Sequence, residues 1–153
     1  MKAMLFRFHT LHHKLWVLYY VSGFALKLLW RGILHDYSKF STFEARGFGE
    51  ELPKLRESSY GEADYHALLE HTQPILTHHY RYNRHHPEHF PDGYTNMSLL
   101  DIVEMLCDWQ ASVKKHQDGD IVKSIDYCQQ RFGMSDDISN ILRNTVIKNQ
   151  KGS

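Results

Sequence analysis

The sequence predicts an all-α fold, and three observations predict it. Apolar residues recur at helical spacing along most of the chain. Few segments alternate apolar and polar residues with period two, so strands are not supported. Glycine and proline cluster in the stretches 41–61 and 83–96, which separate helical patterns and suggest a bundle of about five to seven helices. The 153 residues are enough for one domain with a real core, and the expectation is a single domain over 1–153.

The first helix is expected from about Phe6 to Leu29, apolar on most faces. Residues 15–34 are rich in Leu, Trp, Tyr and Phe, but Lys27 and Arg31 interrupt them, and a span needs about 20 uninterrupted apolar residues. A buried core helix is therefore preferred and no membrane span is expected, with peripheral membrane contact as the weaker alternative. A second helix is expected to begin near Arg31 and to carry His35, Asp36 and Lys39. Residues 41–61 hold Gly47, Gly49, Pro53 and Gly61 and read as an irregular connection. A third helix follows from about Glu62 to Tyr82, with Pro74 able to kink it. Residues 83–96, with Pro87, Pro91 and Gly93, read as a histidine-rich loop. Ser98 with Asp101 three residues on has the spacing of a capped helix start, which opens a fourth helix. Two shorter helices follow near Ile121–Phe132 and Asp137–Lys148, separated by Gly133.

Lys+Arg and Asp+Glu number 18 each, so the formal net charge is zero and nucleic-acid binding by bulk electrostatics is not favoured. The two cysteines, Cys107 and Cys128, lack metal-type spacing and read as reduced thiols of a cytoplasmic protein. The 12 histidines are the compositional outlier.

His35 and Asp36 stand together in an apolar run, and burying such a pair is expensive unless something compensates it. A divalent cation does so. His13, His35, Asp36, His79, His85, His86 and Asp108 are the candidate ligands. His9 and His12 are the reserves for His13, because neighbouring helical residues point about 100° apart and only one can face a site. Several imidazoles packed between His78 and His89 would repel when protonated, and a bound cation holds them neutral. Nitrogen and oxygen ligands suit Mn, Fe, Co, Ni, Zn or Mg, as one ion or two. Lys39, placed four residues after His35, cannot bind a cation. Its expected partner is an anion, either a substrate phosphate or a carboxylate such as Glu44. Asp108 lies opposite the apolar face of its helix, yet Met105, Cys107 and Ala111 flank it, which suggests a buried acid with a partner. Asp101 and Glu104 read as a helix-start acid and as an outer or surface carboxylate.

This order of residues resembles the HD-domain superfamily of metal-dependent phosphohydrolases. His35-Asp36-Tyr37-Ser38-Lys39 is similar to the HD-x-x-K form of the HD-GYP phosphodiesterases. His85 to Glu88, Asp92 to Tyr94, and Asp108 are similar to that branch's later segments. His35 to Phe40, Asn83 to His86 and Glu104 to Trp109 resemble, more closely still, a small uncharacterised HD-like family of bacteria and phages. The resemblance covers about residues 9–112, with C-terminal helices at about 120–149 outside it. It implies an HD-like bundle and hydrolysis of a nucleotide or related small phosphoester. Asp36 and Lys39 would be its catalytic groups, and Lys39, Arg81 and Arg84 would bind substrate. His66, His71, His78 and His79 all stay open as the third histidine. The run from Phe90 to Tyr94 lacks the full HD-GYP glycines, so cyclic dinucleotide hydrolysis is not assigned. A di-iron oxygenase with a similar ligand set and a non-catalytic protein stabilised by metal remain as alternatives. The sequence sets no oligomeric state.

Overall fold

The computed structural model describes residues 2–57, 63–114 and 119–151. It is all-α, with six helices and, among the described residues, no strand: α1 Lys2–Leu34, α2 Thr42–Glu57, α3 Ala63–Tyr82, α4 Leu99–Val113, α5 Ile121–Phe132 and α6 Asp136–Lys151. The chain divides into two compact units, residues 1–35 and 36–153.

The first unit is the single helix α1, longer at both ends than its periodicity predicts. One helix has no interior of its own, and none of its residues is buried, contrary to the expected core helix. By length and composition alone α1 could cross a membrane, a test that core helices and signal sequences also pass.

The second unit carries two corrections. The helix expected to begin near Arg31 is absent. The chain instead turns at Asp36, whose φ of 56° is left-handed, and then forms a short 3-10 turn over Tyr37–Phe40. A left-handed residue cannot continue a right-handed helix, and aspartate tolerates that conformation better than most. The expected irregular connection at 41–61 is largely helix α2. Ser41 supplies its start, because the Ser41 hydroxyl accepts the Glu44 N–H at 3.2 Å. Gly47 lies inside α2 for a packing reason. A Cβ there would sit 2.5 Å from the Ile75 side chain on α3, so glycine lets the two helices approach.

The later elements follow expectation. Ser98 and Asp101 close a reciprocal capping box at the start of α4. Asp120 caps α5, and Gly133, with φ of 61°, ends it. Met105, Leu106, Ile121, Ile125, Leu142 and Val146 form the centre of a core shared by α4, α5 and α6. Leu99, expected on the apolar face of α4, is exposed, since it lies in the first helical turn.

Candidate metal centre

The site is built from three segments of the second unit: the turn at Asp36, the end of α3, and the two residues His85 and His86 that follow it. One ligand atom from each of Asp36, His79, His85 and His86 lies within 4.8 Å of all the others. Asp36 Oδ1 is 3.3 Å from His79 Nε2 and 3.4 Å from His85 Nε2. His79 Nε2 is 3.0 Å from His86 Nε2. Two ligands about 2.1 Å from one ion stand roughly 3.0 Å apart at a right angle and roughly 3.4 Å apart at the tetrahedral angle, and these separations match such edges of a coordination shell. His79 and His85 are buried, and Asp36 and His86 half-buried.

Local chemistry fixes which nitrogen faces inward. Glu44 is fully buried and accepts hydrogen bonds at its two carboxylate oxygens. Burial pushes its carboxyl up, but the hydrogen bonds from His79, His78 and Ser38 outweigh that and leave it below the usual range. An ionised carboxylate only accepts, so His79 Nδ1 donates to Glu44 Oε2 at 2.9 Å and His78 Nδ1 to Oε1 at 2.7 Å. The Ser38 hydroxyl adds a third donor at 2.9 Å. Asn83 completes the bracket, its amide donating to Ser38 Oγ at 2.6 Å and to the His79 carbonyl at 2.7 Å. His85 is set the same way, with Nδ1 3.3 Å from Glu104 Oε1 and Nε2 turned to Asp36. His79 and His85 thus each have Nδ1 on a carboxylate and Nε2 on the common point, the arrangement that orients metal-ligating histidines. The donor set fits a divalent cation of the nitrogen- and oxygen-preferring kind.

Burial, followed by the neighbouring His85 and His79, pushes His86 down to about 3, against the opposing pull of Asp108 and Asp36. His86 is therefore a neutral imidazole with a lone pair to give at any ordinary pH.

Of the candidate third histidines, His79 joins the group. His78 instead serves Glu44 and stacks beside Phe43 and Tyr82. His71 is exposed and lines a groove between α2 and α3 with Arg46, Glu50 and Glu51. The His66 side chain lies outside the described residues. Asp108 is half-buried on α4 and close enough to act on His86. His13, exposed on α1, and His35 belong to the first unit.

The cationic side chains are placed differently from expectation. Lys39 pairs with Asp36, its Nζ 2.5 Å from Oδ2, and not with Glu44, whose oxygens the two histidines and Ser38 occupy. Arg84 pairs with the buried Asp101 at 3.3 Å and lies over the Phe90 ring. Arg81 is exposed beside the Tyr82 ring. Sequence reasoning missed Glu44 as part of the site. The available signal was the Ser41-to-Glu44 spacing of a helix start, which the glycines and Pro53 after it obscured.

Residues 2–148 match the model of a family described as a family of unknown function, DUF5662. No curated protein and no solved structure matches.

Proposed function

The chain belongs to the DUF5662 family of unknown function, and from that premise we propose that it is a metal-dependent phosphohydrolase acting on a nucleotide or related small phosphoester. The observation that carries the reading is the convergence of Asp36, His79, His85 and His86, with the His79 and His85 imidazoles already oriented by Glu44 and Glu104. Those four residues would hold one divalent ion. Asp108, half-buried on α4 and near enough to act on His86, is a further proposed ligand within the same unit. A bound divalent cation supplies hydroxide near neutral pH and offsets charge on phosphoryl oxygens.

The chain's own groups would do the rest. Asp36 gives Oδ1 to the histidine group while Lys39 holds Oδ2, so the carboxylate is fixed in orientation from both sides. Lys39 is half exposed, so its ammonium can also meet an incoming phosphate and oppose the negative charge that develops there. Arg84 is committed to Asp101 and Phe90, which leaves Lys39 and Arg81 as the better substrate-facing cations.

The test is elemental analysis of the purified protein followed by a panel of nucleotide and other phosphoesters. The expected result is stoichiometric divalent metal with phosphate release, both lost in Asp36→Ala. Lys39→Ala is expected to keep its metal and lose turnover. Two irons per chain with oxygen consumption and no phosphate release would replace the reading with an oxygenase. A full metal complement without turnover of any substrate would replace it with a metal-stabilised binding protein.

A further inference from the structure

The charge of this chain is balanced only in sum. Five of its 18 basic residues, and none of its 18 acidic ones, lie before Asp36. The rest of the chain therefore holds 13 basic against 18 acidic residues. The wholly cationic segment also carries many exposed large apolar side chains. Along α1, at about 100° per residue, Met4, Leu11, Leu15, Leu18, Leu29 and Ile33 fall on one stripe, and each is exposed. Lys2, His9, His13, Tyr20, Lys27 and Arg31 fall on the opposite one. Arg7 and Lys14 flank the apolar stripe, where long cationic side chains can lay their stems on apolar surface and keep their charge outside it. Trp16, Tyr19 and Tyr20 pack on one another along the helix, and Trp16 donates to His12 at 2.9 Å. Tryptophan and tyrosine with flanking basic residues are the side chains that prefer the boundary between lipid headgroups and acyl chains.

We propose that α1 lies in the surface of an anionic lipid bilayer, its apolar stripe sunk into the headgroup boundary and its basic residues on lipid phosphates and carboxylates. Charge selects this occupant. A second copy of α1 would bring five more cations and no acid to the same contact, and like charges oppose such pairing. An anionic leaflet offers the opposite charge over a surface that the whole helix, about 50 Å long at 1.5 Å per residue, can use. Lys14 and Lys27 leave 12 residues between them, short of the about 20 uninterrupted apolar residues a span needs, which favours the plane of the surface over a crossing. Enzyme and membrane readings are independent, because the four histidine-group ligands all belong to the second unit.

The test is co-sedimentation of the full chain with phosphatidylcholine vesicles and with vesicles in which about a third of the lipid is phosphatidylserine. Binding is expected to be at least about tenfold stronger to the anionic vesicles and to weaken as salt is raised. The combined variant Arg7→Glu, Lys14→Glu, which reverses the two cations beside the apolar stripe, is expected to lose that preference while keeping its helix content and its metal. In a Trp109→Phe background only Trp16 and Trp30 remain, and their emission is expected to shift to the blue on adding anionic vesicles. Equal binding to both vesicle types would overturn the charge-selected surface. Binding to neither, with a stable dimer in solution or with tryptophan emission already blue-shifted before lipid is added, would mean that protein covers this stripe and would overturn the proposal.

Discussion

Glu44 is the residue on which the site's geometry turns. It is buried, and what holds it ionised is a set of donors from Ser38, His78 and His79. The same bonds fix His79 with Nε2 toward Asp36. Glu44→Gln keeps the shape but puts an NH2 where one imidazole N–H must be accepted, so one of the two histidines loses its orientation. Outer carboxylates of this kind are worth about 10–100-fold in metal affinity. Titration with a divalent metal is therefore expected to give Glu44→Gln a dissociation constant weaker by about that factor, with its metal-free melting temperature changed far less than that of Glu44→Ala. Equal metal affinity in Glu44→Gln and the parent protein would remove Glu44 from the site. Sequence reading gave this residue a different partner, Lys39. Pairwise charge logic favours that bond, and only the fold shows the histidines arriving first.

At the scale of elements, the contact between α2 and α3 positions Glu44 opposite His79. Gly47 is one turn beyond Glu44 and faces Ile75, one turn before His79. Alanine is the better helix former by about 1 kcal/mol, so on propensity alone Gly47→Ala should stabilise α2. A Cβ at 2.5 Å from the Ile75 side chain reverses that expectation. Gly47→Val adds still more volume at the crossing and is expected to destabilise the fold by about 1–3 kcal/mol, as overpacking does. It should also weaken metal binding, because spreading the helices draws Glu44 from His79. Denaturant unfolding and metal titration of this one variant read both effects. Combination with Ile75→Ala should recover part of the loss, since the three atoms nearest the added Cβ all belong to that side chain. The later elements were easier to foresee. Ser98, Asp101 and Gly133 act within their own helix ends, so their spacing carries their structure.

For the whole molecule, metal and pH act through the same cluster. Ligands drawn from separate segments tie the turn at Asp36 to the end of α3, and an ion that binds only the folded chain stabilises it by mass action, about 2.7 kcal/mol at a hundredfold excess over its dissociation constant. Adding a chelator is expected to lower the melting temperature. The metal-free protein should also be acid-sensitive. His86 falls from 6.5 to about 3 on folding, so between those values the unfolded chain binds the extra proton. Its contribution is complete above about 6.5 and is lost as pH falls toward 3, at up to about 1.4 kcal/mol per pH unit. The lowered Glu44 has the same sign, with its loss confined to the range below its ordinary value of 4.5. Melting curves in chelator from pH 7.5 to 4 should fall steeply below about 6.5. A flat profile would mean that His86 is not held neutral by its surroundings.

By itself the sequence determined the all-α class, the later helices with the Ser98–Asp101 cap, and the residue types of the histidine–carboxylate cluster. Those properties reside in periodicity, in spacing within one turn and in the composition of short runs. Tertiary structure decided which histidine of the His78–His79 pair faces Asp36, which nitrogen it presents, and that Lys39 answers Asp36 while Glu44 answers the histidines. The two neighbours differ by about 100° on their helix, and no local pattern says which direction is inward. It also decided that residues 42–57 are helical despite two glycines and a proline. Their propensity argues against a helix, and the close passage over Ile75, which requires Gly47, exists only once α3 is in place.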